Sequence, residues 1–83
     1  MKIILHPHAL QRAIERGATE EEIFQTVTEG EQFPAKFGRT GFRLNVNFET
    51  IWNGHFYHTK QIELFAVFEN ETWIVITMIV KYF

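Results

Sequence analysis

The chain has 83 residues, a hydrophobic fraction of 46%, an aromatic fraction of 16% and a formal net charge of −2, which are values of a small folded domain rather than a disordered segment. Cys, Ser and Asp are absent, which excludes disulfides, thiolate metal sites, serine-triad hydrolysis and paired aspartates. Any catalysis must therefore use His, Arg, Lys, Glu, Tyr or Thr. We predict a single domain over residues 1–83 in the cytoplasm, without a membrane partner, because no apolar run has membrane-spanning length.

The first part of the chain predicts one strand and two short helices. Residues 2–5 form a short apolar run typical of a strand. Pro7 suits the first turn of a helix, and Gly17 suits the left-handed position that follows a helix end. Thr19 followed by Glu22 is a capping-box pattern, which predicts the start of a second helix.

The second part of the chain predicts strands joined by tight turns. Residues 33–41 contain two glycines and a proline and are predicted to form a loop. Residues 42–48 alternate between apolar and polar side chains, as in a half-buried strand. Asn53–Gly54 predicts a hairpin turn, and Asn70–Glu71 predicts another turn. The resulting order, β-α-α-β-β-β, predicts an α+β fold in which two N-terminal helices pack on one face of a twisted antiparallel sheet.

Three cationic or titratable side chains stand four residues apart on the first predicted helix. They are His8, Arg12 and Arg16, and this spacing places them along one stripe of the helix surface. An imidazole and two guanidiniums together favour an anion such as phosphate. Arg16 also precedes Gly17, where a cation complements the C-terminal end of the helix, so it has a structural interpretation as well.

Further cations surround the predicted loop. Lys36 and Arg39 flank Gly38, whose backbone could approach a phosphate closely, although a solvated loop explains them equally well. Arg43 lies on the polar face of the following strand. A sheet face bordered by this loop is a reasonable place for a polyanion such as RNA.

Four histidines raise the alternative of a metal site. His6 and His8 are two residues apart, and His55 and His58 are three apart. Two residues three apart in a strand point to opposite faces, and no acidic partner stands nearby in the sequence. We therefore predict no metal and no other cofactor.

Three stretches, HPHALQRAIERGATEEEI, KFGRTGFR and WIVITMIVKYF, resemble a small bacterial family of domains of unknown function. That family is related to the RelE- and ParE-like toxins and to the wider barnase–EndoU–colicin superfamily of metal-independent ribonucleases. The resemblance implies an active site on a sheet face that cleaves RNA through its own 2′-hydroxyl group. It also implies RNA or the ribosome as a partner, and a cognate antitoxin protein.

The resemblance also implies roles for individual residues. His8 matches the leading histidine of the family, and Arg12 and Arg39 match its arginines. Lys60 and Lys81 stand near strand positions at which RelE-like toxins place basic residues, and Tyr82 would carry a proton. The predicted catalytic set is therefore His8, Arg12, Arg39, Lys60 and Tyr82, and the predicted RNA-binding set is Lys36, Arg43, Arg16 and Lys81.

Two functional hypotheses remain open from the sequence. The first is a RelE-like, metal-independent endoribonuclease or toxin-like RNA-interacting domain of a toxin–antitoxin system. The second is a non-catalytic domain on the same scaffold that binds a protein partner or forms a homodimer, which the acidic total and the aromatic-rich strands favour.

Overall fold

A computed structural model of the chain describes residues 2–83 as two α-helices and a five-stranded mixed sheet. The elements are β1 (Lys2–Leu5), α1 (Pro7–Arg16), α2 (Glu20–Glu29), β2 (Glu31–Pro34), a 3-10 turn (Lys36–Gly38), β3 (Thr40–Trp52), β4 (His55–Glu69) and β5 (Thr72–Tyr82). The strands lie in the order β1-β5-β4-β3-β2. Neither ten-residue helix, nor any other within residues 2–83, is long and apolar enough to cross a membrane.

The predicted helix boundaries are confirmed by their capping geometry. Pro7 occupies the first turn of α1, and Gly17 ends it in the left-handed region with φ 82°. Thr19 Oγ1 accepts a hydrogen bond from the Glu22 backbone N–H at 3.1 Å, and Glu22 Oε1 accepts one from the Thr19 N–H at 3.0 Å. This reciprocal pair satisfies backbone donors that the first turn of α2 leaves open.

The α+β class is confirmed, but the prediction of an antiparallel sheet is wrong. β1 pairs with β5 in parallel, with Ile3 opposite Trp73, so the sheet is mixed. The first two residues of the predicted loop, Phe33 and Pro34, belong instead to an additional strand, β2. Phe33 pairs with Gly41, and its ring lies where a Cβ atom on Gly41 would be. A larger residue at position 41 would displace that ring, so the glycine permits the additional edge strand.

The sheet has one face covered by both helices, which we call the helix-covered face, and one that we call the open face. Strand residues from β3, β4 and β5 meet helix residues in one core cluster, formed by Ala9, Ala13, Ile23, Val27, Phe42, Ile62, Leu64, Ala66, Val75 and Met78. Side chains alternate between the two faces along each strand. The open face therefore carries the intervening residues, among them Arg43, Glu63, Phe65 and Thr77.

The edge of β5 is left partly free by the short length of β1. β1 pairs only with Thr72–Val75, so within residues 2–83 the remainder of β5 has no strand on that side. The chain turns directly from β1 into α1, and α1 packs against β5 there. Side chains on one flank of α1 can consequently reach over this edge toward the open face.

Candidate nucleic-acid interface

A continuous groove runs across the open face to the free edge of β5. It consists of two adjoining depressions, of about 420 Å³ and 300 Å³, that share Phe65 and Thr77. The larger is also lined by Phe33, Pro34, Ala35, Lys36, Phe37 and Arg39, and the smaller by Arg12, Arg16, Met78, Ile79 and Val80. We call the whole depression the cationic groove, because two cations lie toward each of its ends. Its floor is apolar.

The cations reach the groove from two different elements. On α1, Ala9 and Ala13 are buried in the core, so Arg12 and Arg16 fall on a flank of the helix rather than on its inner side. From there they line the smaller depression along β5. Lys36 and Arg39 are placed at the opposite end by the 3-10 turn between β2 and β3. The sequence hypothesis placed these four residues near one polyanion, and the structure brings them to one groove.

The four groove cations are available to an anionic ligand. Among residues 2–83, none of them forms an ion pair or a side-chain hydrogen bond. Glu15, three residues from Arg12 on α1, accepts a hydrogen bond from Gln11 at 3.3 Å through its Oε2 and does not pair with Arg12. A ligand therefore does not have to displace an internal carboxylate from these side chains, which lowers the cost of binding.

His8 lies just beyond the α1 end of the groove. It lines a further depression of about 300 Å³ together with Arg12, and so adjoins the groove through that residue. His6, rather than His8, caps the start of α1, because His6 Nδ1 accepts the hydrogen bond from the His8 backbone N–H at 3.2 Å. The exposed imidazole of His8 has no side-chain bond within residues 2–83 and is accessible to a ligand.

Two further predicted RNA-binding residues lie on the open face but outside the groove. Arg43 donates to Glu63 at 2.8 Å and to Glu31 at 2.9 Å, and its guanidinium lies 4.7 Å from the ring centroid of Phe33. The hydrogen bond and the charge of Glu63, together with Glu31, raise the pKa of Arg43. Its charge is therefore already compensated. Lys81 is exposed on the same face, two residues beyond Ile79, and does not line the groove.

Lys60 occupies a structural site on the helix-covered face, contrary to its predicted catalytic position. It is only 5% exposed. Its Nζ donates to the backbone carbonyl of Gly17 at 2.7 Å and to both carboxylate oxygens of Glu22 at 2.9 and 3.1 Å. The ammonium group also lies 4.9 Å from the ring centroid of Phe48. One buried charge thus joins the end of α1 to the start of α2.

Tyr82 is next to Lys60 and is likewise outside the groove. Its hydroxyl donates to the backbone carbonyl of Arg16, and its ring stacks on Trp52 with centroids 5.0 Å apart. Burial and, to a smaller extent, the charge of Glu22 raise the pKa of Tyr82, which favours the protonated phenol that donates to the Arg16 carbonyl. Neither Lys60 nor Tyr82 lines the cationic groove, and both hold the C-terminal end of α1.

The apolar floor of the groove was missed in the sequence. Phe33 and Phe65 form an edge-to-face pair with ring centroids 6.3 Å apart, and Phe37 stands at the rim. Thr77 lies on β5 where the two depressions meet, and its hydroxyl forms no hydrogen bond within residues 2–83. The available signal in the sequence was that Thr77 is an isolated polar side chain in an apolar strand. Its place in the groove, however, depends on the pairing of β4 with β5.

The histidines do not assemble into a metal site within the described part of the chain. His58 Nδ1 lies 3.0 Å from a carboxylate oxygen of Glu49, and His6 is used in the helix cap. No group of three or more His, Cys, Asp or Glu side chains in residues 2–83 is close enough to hold a metal ion.

Comparisons of the whole chain with protein-family models, with curated proteins and with solved structures found no match. The geometry of the cationic groove is therefore the basis for inferring what the chain does.

Proposed function

We propose that this chain is a RelE-like, metal-independent endoribonuclease, a toxin-like domain that holds RNA in the cationic groove. The observation that carries the proposal is the convergence of four cations on one groove with an aromatic floor, namely Arg12, Arg16, Lys36 and Arg39, none of which forms an ion pair within residues 2–83. Cations that follow a phosphate backbone and rings that stack on bases are the two components of single-strand binding sites.

The chemistry proposed for the groove uses His8 and its neighbouring arginines. The 2′-hydroxyl oxygen of one nucleotide attacks the adjacent phosphorus while His8 takes the hydroxyl proton. The bond from phosphorus to the 5′ oxygen of the next nucleotide breaks, that oxygen takes up a proton from solvent water, and a 2′,3′-cyclic phosphate remains. His8 then returns its proton to solvent. Arg12 and Arg16 would stabilise the charge that develops on the phosphate oxygens, which requires donors but no metal. The exposed His8 imidazole beside Arg12 supports this assignment.

An RNA cleavage assay in EDTA buffer tests the proposal. The folded wild-type chain should convert a labelled unpaired RNA into products that end in a 2′,3′-cyclic phosphate. The variant His8→Ala should reduce the rate by at least a hundredfold, since a positioned acid or base contributes about 10²–10⁴ in rate. Arg12→Ala and Arg39→Ala should each reduce the rate by at least about tenfold, because each removes a cation that contacts the phosphates.

The matched control is Lys2→Ala, which removes one exposed cation from β1, where it lines a separate depression. It should cleave at the wild-type rate. Absence of cleavage by the folded wild-type chain on messenger, ribosomal and transfer RNA would contradict a catalytic function. Equal losses in Lys2→Ala and Arg12→Ala would contradict the groove as its location.

A second candidate, a protein-binding or self-associating domain, is favoured by the tip of the β3–β4 hairpin. Ile51 and Phe56 are cross-strand partners there, and both are largely exposed. Exposed apolar pairs of this kind are common in protein interfaces. Under this alternative, Ile51→Lys would dissociate a dimer observed by light scattering or release a copurifying protein, while Arg12→Ala would change neither.

A further inference from the structure

Among the large hydrophobic side chains of residues 2–83, that of Phe37 is the most exposed, at 85%. Its backbone is in the left-handed region, with φ 62° and ψ 32°, and Gly38 follows with φ 70°. A side chain other than glycine rarely adopts this conformation without a cost, and asparagine or glycine would fill it more easily. The fold therefore holds a large apolar ring in water on a strained backbone.

The packing of the chain does not account for this ring. Within residues 2–83 Phe37 belongs to no aromatic pair, and the one charged group near its face is the Arg39 guanidinium, 5.6 Å from the ring centroid. A phenylalanine side chain normally stabilises a fold by being buried, and here almost none of the Phe37 ring is buried. Strain combined with exposure is typical of positions that serve a ligand.

The surroundings of Phe37 indicate which ligand fits. The ring stands at the rim of the 420 Å³ depression whose floor is the Phe33–Phe65 pair. Lys36 and Arg39 flank it, and neither is paired with a carboxylate in residues 2–83. A flat apolar group attached to an anionic backbone matches both features, because the ring offers a stacking surface and the cations offer phosphate contacts.

We propose that Phe37 is a stacking residue that takes one unpaired nucleobase of the bound RNA over the Phe33–Phe65 floor. The flanking phosphate then lies against Lys36 and Arg39. Because a base must leave its own stack to enter, the groove selects single-stranded RNA over duplex RNA. This inference rests on the proposed RNA-binding function and adds a contact that no cation of the groove supplies.

The test measures binding rather than cleavage. The probes are a fluorescently labelled unpaired 2′-O-methyl RNA, which cannot be cleaved through its 2′-hydroxyl, and an oligomer of the same backbone that lacks all bases. Fluorescence anisotropy in EDTA buffer compares wild type, Phe37→Ala, Phe37→Trp and Arg39→Ala. The matched control is Phe56→Ala, because Phe56 is also an exposed phenylalanine, at 55%, but lies at the hairpin tip outside the groove.

Phe37→Ala should weaken binding of the RNA with bases by about tenfold, the change expected when one base stack is lost. It should leave binding of the base-free oligomer within twofold of wild type, whereas Arg39→Ala should weaken binding of both probes. Phe37→Trp should bind the RNA with an affinity close to that of wild type, because tryptophan also offers a stacking surface. Phe56→Ala should bind both probes with the wild-type affinity.

The inference and the proposed function fail in different ways. If wild type binds the RNA but Phe37→Ala binds both probes as wild type does, or loses both equally, the stacking role is refuted while RNA binding stands. If wild type binds neither probe, the proposed function itself is refuted. A Phe37→Ala variant that loses a copurifying protein and no RNA affinity would assign this ring to a protein partner and overturn the inference.

Discussion

Replacing Lys60 with methionine tests how the two helices are attached to the sheet. The substitution keeps an apolar stem against Phe48 but removes the ammonium group that joins Glu22 to the Gly17 carbonyl. Losing a hydrogen bond to a charged group costs about 1.5–3 kcal/mol, and an unpartnered carbonyl costs about 1–3 kcal/mol. The Glu22 side chain is still 21% exposed, so water relieves part of this loss, and a buried methionine needs no ion partner. We therefore expect the free energy of unfolding to fall by about 2–3 kcal/mol.

Urea denaturation followed by circular dichroism gives this free energy directly. For a chain of this size the same change lowers the melting temperature by about 8–24 °C. The matched control is Lys81→Met, because Lys81 is exposed on the open face and has no ion pair within residues 2–83. It should alter the free energy of unfolding by less than about 0.5 kcal/mol.

The double variant Lys60→Met/Glu22→Gln separates the ion pair from the packing. Since glutamine does not leave an unpaired charge, the double variant should be about 1–2 kcal/mol more stable than the sum of the two single effects predicts. A Lys60→Met variant as stable as Lys81→Met, or a double variant whose effects simply add, would refute the reasoning that this charge pair connects α1 to α2.

Three further measurements probe other parts of the molecule. Gly17→Ala should lower the free energy of unfolding, measured by urea denaturation, by more than about 1 kcal/mol. The backbone φ is 82° there, and a Cβ atom would lie 2.6 Å from the Tyr82 hydroxyl oxygen and 2.7 Å from the Trp52 ring. An unchanged denaturation midpoint would contradict this packing. Because the pKa of Tyr82 is raised in the folded state, the folded chain retains its phenolic proton longer than the unfolded chain does, so stability should decline as the pH rises above about 10. Tyr82→Phe should reduce that alkaline decline in denaturation curves, and an identical decline in the variant would assign it to other groups. The double variant Arg12→Gln/Arg16→Gln should bind unpaired RNA with a weaker salt dependence. In a plot of log affinity against log salt concentration, the magnitude of the slope should fall by about 1.4, which corresponds to two lost phosphate contacts. An unchanged slope would show that RNA binds elsewhere.

Local elements were predictable because neighbouring residues determine them. The capping box of Thr19 and Glu22 and the left-handed Gly17 fix the helix ends without any distant partner. The turn at Asn53–Gly54 has φ values of 51° and 83°, as such a pair permits. β2 and the parallel pairing of β1 were not predictable in this way, because strand pairing depends on which distant segment offers a matching edge.

The candidate site was predicted in part for the same reason. The spacing of Arg12 and Arg16 places them on one helix flank, but the meeting of that flank with Lys36 and Arg39 depends on the register of the sheet. The burial of Lys60 had a signal in the sequence. Lys60 is in phase with Ile62 and therefore on the apolar face of β4, and only its partnership with Glu22, 38 residues away, makes burial of that charge acceptable.

The attachment of α1 by Lys60 and Tyr82 has a consequence for genetic experiments. Both side chains bond to backbone carbonyls at the end of the helix that carries Arg12 and Arg16. If the chain arrests growth as the proposed function requires, a selection for survivors should therefore recover substitutions at both positions, on the helix-covered face of the sheet and outside the cationic groove. Suppressors of such substitutions should map to stabilising changes in the core, whereas loss of Arg12 should have no suppressor there.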